Sequence, residues 1–248
     1  MSEHFKHKVH VLFSKEDLDH QRLEGKVAVV LDVLFATSTI INAFAAGATE
    51  VIPTLDEAGA NAEAQKHPDG SYVLAGELYA VTLPGFAPPT PLALAEHGLA
   101  GRKVIYSTTN GTVALKQSAK ADHVYAGALI NAKAVVRQVL DKHAGKTVLI
   151  VCSGSMGSPN LEDMYGAGYF VELLSEAMSD EGDTFSDASL AARALFRSEP
   201  SEQALLKSRV GRMMIERGLQ HEVRFASQLG VLDVVPALTE GRLTIQGP

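Results

Sequence analysis

Short apolar runs alternate with stretches of helical periodicity along most of this chain. The clearest run is Val27-Ala28-Val29-Val30-Leu31, which passes into Asp32 and, a few residues on, into the hydroxyl triplet Thr37-Ser38-Thr39. An unbroken apolar run of this kind reads as a strand buried on both faces. On the same pattern, strands are predicted at 9–13, 27–33, 50–53, 72–75, 103–107, 123–127, 147–152, 231–235 and 242–245, the last two as a hairpin. Helices are predicted at 37–46, 55–67, 111–119, 131–143, 160–178 and throughout 186–229. Gly47 ends the first of these, because glycine accepts the left-handed conformation of a helix C-terminal cap. Thr54 and Asn131 are candidate N-caps. Residues 76–91 contain Gly76, Pro84, Gly85, Pro88, Pro89 and Pro91 and read as one long loop, a feature that often carries function. The alternation predicts a layered α/β/α fold with a largely parallel or mixed sheet and a helical C-terminal segment. No linker or repeat interrupts it, so 1–248 reads as one domain. Residues 179–183 read as a surface turn before a helical subregion at 183–230.

Composition narrows the class. Hydrophobic residues make up 46% of the 248 and charged residues 21%, enough apolar surface for a full core. A net charge of -7 opposes a nucleic-acid partner, which needs a basic face. The single cysteine, Cys152, excludes an intrachain disulfide and fits a reducing compartment. No apolar run approaches membrane-span length, and residues 1–7 lack an apolar signal core. A cytoplasmic protein with neither a nucleic-acid nor a membrane partner is expected.

A carboxylate at the end of a buried strand is costly unless something pairs with it. In open α/β sheets, ligands collect at the carboxyl ends of the strands. Four such ends are polar here: Asp32; Gly76-Glu77; Ser107-Thr108-Thr109-Asn110-Gly111-Thr112; and the Gly/Ser loop from Ser153 to Ser158, followed by Glu162-Asp163. The third reads equally as an anion cradle at a helix start or as an ordinary cap and turn. The fourth lacks the Lys-Ser/Thr of a nucleotide-binding loop. Asp32, Glu77, Glu162 and Asp163 offer hard oxygen ligands of the kind that suit Mg²⁺. Each acid alone reads more often as a cap or a solvated residue, and their shared position at strand ends carries the case. Adjacent Glu162 and Asp163 point about 100° apart on a helix, so one faces the sheet end while the other caps. The nine histidines show no zinc spacing. Cys152 reads as a buried, inert thiol. Gly154-Ser155-Met156-Gly157 is not a nucleophile elbow. Leu34 stands where phosphatases that form an aspartyl-phosphate place a second Asp.

The strings Leu31-Asp32-Val33-Leu34-Phe35-Ala36-Thr37, Leu74-Ala75-Gly76-Glu77, Pro84-Gly85-Phe86, Thr108-Thr109-Asn110-Gly111-Thr112 and Leu161-Glu162-Asp163 occur in order. Together they resemble the 2-phosphosulfolactate phosphatase family over residues 8–175, and Leu232-Asp233-Val234-Val235-Pro236 extends the similarity. The resemblance implies an α/β fold and Mg²⁺-dependent removal of phosphate from 2-phospho-3-sulfolactate, a step toward coenzyme M. It implies Asp32, Glu77 and Glu162 as metal ligands, and Asp32 and Asp163 as catalytic groups, Asp163 as general base. Thr37, Thr108, Thr109, Asn110, Gly111, Thr112 and Ser153 would contact the phosphate or the substrate. The chain departs from the family pattern at Phe35, Leu78 and Val113, each where Arg is usual, and at Pro88-Pro89-Thr90-Pro91, where Gly-Asn-Ser-Pro is usual. Arg is the preferred partner of phosphate, carboxylate and sulfonate. A retained metal site with an altered choice of small anionic organic substrate is therefore expected. The rival expectation is a non-catalytic metabolite-binding or regulatory relative that keeps the fold. A homodimer is also expected.

Overall fold

Apolar alternation within the strands sets the layering of the computed structural model, which describes residues 8–178 and 184–245. The signal-core reading at 1–7 and the turn predicted at 179–183 lie outside the described residues. The strands are β1 (Val9–Leu12), β2 (Val27–Leu31), β3 (Glu50–Thr54), β4 (Tyr72–Leu78), β5 (Val81–Thr82), β6 (Lys103–Ser107), β7 (His123–Gly127), β8 (Val148–Cys152), β9 (Pro236–Thr239) and β10 (Arg242–Ile245). The helices are α1 (Ala36–Ala45), α2 (Glu57–Ala64), α3 (Pro91–Ala95), α4 (Gly111–Gln117), α5 (Ala132–Lys142), α6 (Leu161–Ala177), α7 (Asp187–Ser198), α8 (Ser201–Lys207), α9 (Arg209–Glu216) and α10 (Gln220–Ala226).

The strands form one mixed sheet in the order β1-β8-β2-β7-β9-β10-β3-β6-β4-β5. Two parallel blocks, β1-β8-β2-β7 and β3-β6-β4, are joined by the antiparallel β9–β10 hairpin. The joints are thin: β7 pairs with β9 only at Tyr125↔Ala237, and β10 pairs with β3 only at Leu243↔Val51. Pro53 is tolerated inside β3 because β10 asks nothing of its missing N–H. Along β2, Val27, Val29 and Leu31 pack with Val135 of α5 and Phe170 of α6. Ala28 and Val30 face the other way, onto Ile40 and Phe44 of α1 and Leu115 of α4. That two-sided burial is why the run is apolar throughout.

Several elements differ from the sequence reading. The run 231–235 is not a strand. It lies alongside the turn before α5, where Gly230 N–H donates to Leu129 O and Leu232 N–H to Ile130 O, each at 2.8 Å. The strand that pairs with β10 begins at Pro236 instead. Asn131 does not cap α5 with its side chain: Oδ1 accepts from Ala128 N at 2.9 Å, and Nδ2 donates to Ala126 O and Val234 O. The cap of α2 is Asp56, accepting from Gly59 N at 2.7 Å, rather than Thr54, whose hydroxyl donates to Tyr106 O. The predicted loop at 76–91 is partly ordered. β4 runs on to Leu78, turns at Tyr79-Ala80 into β5, and Pro91 opens α3 at a position where a missing N–H costs nothing. The helical region 186–229 is four helices, broken at Pro200, at Ser208 and around Gly218.

Candidate active site

Register brings the polar strand ends together. In the first block, Leu31 pairs with Gly127 and with Cys152, so Asp32 and Ser153 leave the sheet side by side, with Ser153 N–H donating to Leu31 O at 2.7 Å. In the second block, Gly76 and Thr54 both pair with Ser107, which sets Glu77 beside Thr108 and Thr109. The two blocks meet through Gly111. A Cβ placed there would lie 2.5 Å from Asp32 Oδ2 and 2.3 Å from Ala36 Cβ. Glycine is required at 111 because the Asp32 carboxylate rests against its backbone.

Three of the hydroxyls close local turns. Thr37, fully buried, accepts from Asp32 N and donates to Asp32 O, each at 3.0 Å. Thr108 and Thr112 bond each other reciprocally: the amide of each donates to the other's hydroxyl at 3.0 Å. Ser153, also fully buried, donates to Asp163 Oδ2 at 2.9 Å.

The four acids divide into two pairs by their partners. Asp163 accepts from Val33 N at 2.9 Å through Oδ1, and from Ser153 Oγ and Gly154 N through Oδ2. It therefore bolts the end of β2 to the end of β8. Glu77 accepts from Thr109 N at 2.6 Å, from Ala80 N at 2.5 Å and from Thr109 Oγ1 at 3.0 Å. A carboxylate has about four acceptor positions, and these loops occupy most of those on Glu77. Asp32 and Glu162 face the cleft with fewer protein donors. The amide of Ala36 pulls the Asp32 carboxyl down. Burial first, and then the charges of Asp163, Glu77 and Glu162, push it well above the usual carboxylate range. Burial and then the charge of Asp163 raise Glu162 to about 7, with Ser208 and Arg209 opposing. Burial raises Asp163 to about 6 against the pull of hydrogen bonds from Val33, Ser153 and Gly154. Burial also pushes the Cys152 thiol well up, as expected of an inert core thiol.

Asp32, Glu77, Thr109, Asn110 and Glu162 line one cavity of about 200 Å³. Thr108 instead lines an adjoining cleft of about 540 Å³, which shares Glu77 and Thr109 with the first. Thr37, Gly111, Thr112, Ser153 and Asp163 do not line the acid-walled cavity. Val113, half-buried, is not in its lining either, while Leu78 stands exposed on the adjoining cleft and Phe35 forms part of the cavity wall.

The sequence reading missed the α9 side of this cavity, although it singled out the Ser153–Ser158 and 76–91 loops that adjoin it. Arg209, Val210 and Met213 of α9 form that side, and Tyr79 and Ala80 of the hairpin and Ser155, Met156 and Asn160 of the loop before α6 line the cavity as well. Arg217, at the other end of α9, donates to Ala80 O, so α9 spans from the acid loops to the hairpin tip. The strong amphipathic pattern of 209–216 was the available signal, but it points equally to any packed surface helix. Lys15 was also missed. It is buried and donates to Asn110 Oδ1 at 3.0 Å and to Ser153 O at 3.2 Å, and it pairs with Glu16.

Among the described residues, no three His, Cys, Asp or Glu side chains converge closely enough to enclose a metal ion on their own. The donor set still fits a hard divalent cation. Mg²⁺ usually takes one or two carboxylates and completes its shell with water and substrate oxygens. Asp32 and Glu162 supply two under-coordinated carboxylates in a strongly acidic cleft.

Fold and site together define a layered α/β enzyme with an acid-walled cavity at the meeting point of two sets of strand ends. The sequence model of the 2-phosphosulpholactate phosphatase family matches residues 12–241, and the chain belongs to that family. A protein of Symbiobacterium thermophilum named probable 2-phosphosulfolactate phosphatase is 39% identical over 228 residues, covering 91% of this chain and 96% of its own. Proteins of the same name from Carboxydothermus hydrogenoformans and Deinococcus radiodurans are 38% and 36% identical, covering 96% and 87% of this chain and 97% and 88% of their own.

Proposed function

We propose that the protein is a Mg²⁺-dependent phosphoric monoester hydrolase acting on a small phosphorylated acid of the 2-phosphosulfolactate kind. The observation that supports this most directly is the placement of Asp32 and Glu162 in one small cavity, crowded by further carboxylates and short of positive charge. Asp32 and Glu162 would hold the ion, which when bound supplies Lewis-acid polarisation of the phosphoryl oxygens. Glu77 fixes the Thr109 loop and the hairpin against the cavity. Asn110 offers the cavity its side-chain amide, while the Thr109 hydroxyl is donated to Glu77. Asp163 acts as a positioning residue, since service as a general base requires it to release hydrogen bonds that hold two strand ends together. Phe35 on the cavity wall favours a second reading, a relative that binds an acid without turning it over.

Phosphate release from 2-phosphosulfolactate and other phospho-acids, with and without Mg²⁺, decides between the two readings. Asp32→Asn is expected to lose about 1,000-fold in kcat/KM, equivalent to the several kcal/mol of charge stabilisation that a metal supplies. Wild-type turnover by this variant overturns the site. Thermal stabilisation by an unphosphorylated acid, with no turnover of any ester, favours the second reading.

A further inference from the structure

We propose that Arg209 is the specificity-determining residue of this cavity, binding one carboxylate or sulfonate of the substrate while the phosphate lies toward Asp32 and Glu162. The proposal rests on the phosphatase reading for the second half of that statement only. Arg209 is the sole cation among the residues that line the cavity, and it stands on the α9 side of it. Its Nη2 donates to Ser155 Oγ and to Asn160 Oδ1, the latter at 3.3 Å, which fixes the guanidinium over the loop before α6. A guanidinium carries five N–H donors in a rigid fork. Among the described residues, Arg209 makes no salt bridge and no hydrogen bond from Nε or Nη1, and its charge reaches Glu162 closely enough to oppose the upward shift of that acid. Those donors are free for a planar or pyramidal anion.

The backbone beneath Arg209 is equally well fixed. Ser208 caps α9 by accepting from Gly211 N at 2.9 Å and donates to Leu205 O at 2.8 Å. A Cβ at Gly211 would sit 1.9 Å from Leu205 O, so the turn that presents Arg209 is tightly packed. The other cations tied into this region are already engaged. Lys15 is held by Asn110, Ser153 and Glu16, and Arg217 by the Ala80 carbonyl. Phe35, Val210 and Met213 supply apolar wall to the same cavity.

One guanidinium fork matches one acid group. The substrate class this geometry selects is a short-chain phosphate ester bearing a single further acid group beside an apolar carbon skeleton. A third anionic group gains no protein cation. A phosphorylated hydroxy-monoacid such as 2-phospholactate is therefore expected to be turned over at least as well as 2-phosphosulfolactate.

The test uses Arg209→Met and Arg209→Lys in the full chain, each checked for an unchanged Tm. In Arg209→Met, KM for 2-phospholactate should rise by roughly 10- to 100-fold, the range for loss of charged hydrogen bonds, with kcat nearly unchanged. KM for ethyl phosphate, which has no acid group, should change far less, and Arg209→Lys should recover part of the loss for the acid. An equal change in KM for the acid and the neutral ester overturns the proposal. Calorimetry with lactate and with 3-sulfolactate gives a readout independent of turnover: wild type binds, and Arg209→Met binds at least about 10-fold more weakly. If no ester is hydrolysed, the phosphatase reading fails while this arm still judges Arg209. Equal binding by the two proteins, or no binding of either acid to wild type, overturns the role of Arg209.

Discussion

Asp32 and Gly111 make one unit at the scale of single residues. The carboxylate occupies the space that a side chain at 111 would need, with Asp32 Oδ2 only 2.5 Å from an added Cβ. Gly111→Ala should therefore displace Asp32 and Ala36 together, costing about 1–3 kcal/mol as overpacking does and removing most Mg²⁺-dependent activity. Urea unfolding and phosphate release measure the two effects, and a variant with both intact means the contact is slack. Asp32→Asn should do the opposite to the metal-free fold. It removes a charge repelled by Asp163, Glu77 and Glu162, so its Tm without metal should rise even as activity falls. Asp32 was legible as a candidate because a carboxylate that ends a buried apolar run is costly unless something pairs with it. Gly111 was legible as a point of close approach, although what approaches is a carboxylate of the chain itself. Arg209 was not legible. An arginine in an amphipathic helix is ordinary, and only the packing of α9 across the strand ends distinguishes it.

Elements depend on polar contacts that no periodicity announces. Glu222 of α10 is fully buried and accepts from Thr90 Oγ1 at 2.7 Å, Leu92 N at 2.8 Å and Ala93 N at 2.9 Å. It thus caps α3 from another part of the chain, and α3 packs against α1, the helix that follows Asp32. Glu222→Ala leaves a buried hydroxyl and two amides unpaired and should cost about 3–5 kcal/mol, as removal of one partner of a buried charged contact does. Glu222→Gln keeps one carbonyl acceptor and should cost less. Equal urea midpoints for the two variants would show that volume, not the carboxylate, holds α10 in place. Where local pattern dominates, the elements were legible: β6 and β7 have the bounds their apolar runs predicted. Where a distant partner decides, they were not. The apolar run at 231–235 looks like a strand, yet it pairs with the turn before α5, and the strand role passes to Pro236–Thr239 because β10 folds back on it. The β4–β5 turn was hidden for a different reason. Tyr79 and Ala80 adopt φ of 53° and 60°, a turn normally written with Asn and Gly, and Glu77 holds it by accepting from Ala80 N.

Across the whole molecule, the acid cluster links folding, pH and metal. Glu162 and Asp163 have folded-state values raised to about 7 and about 6, and Asp32 is raised as well. The folded chain therefore binds more protons than the unfolded chain between the ordinary carboxylate range, near pH 4, and about pH 7. An acid raised in this way contributes fully to stability below its unfolded value and progressively less as pH rises through its folded value. The metal-free protein should thus lose stability between about pH 4 and pH 7, on the order of 3 kcal/mol for a shift like that of Glu162. The lowered acids Glu50 and Glu63, paired with Lys103, Lys66 and Arg242, have the opposite sign. Their stabilisation is complete above the ordinary carboxylate range, so they cannot mask the decline. A cation held by ionised Asp32 and Glu162 reverses the slope, because protons and metal then compete for the same oxygens. Stabilisation by MgCl₂ should be slight at pH 5.5 and several degrees at pH 8, and Asp32→Asn should weaken it at both. Thermal melts at the two pH values, with and without Mg²⁺, measure this directly. A metal-free Tm that climbs from pH 5.5 to pH 8 would mean that these acids are not raised in the fold. A Mg²⁺ shift independent of pH would place the ion away from this cluster.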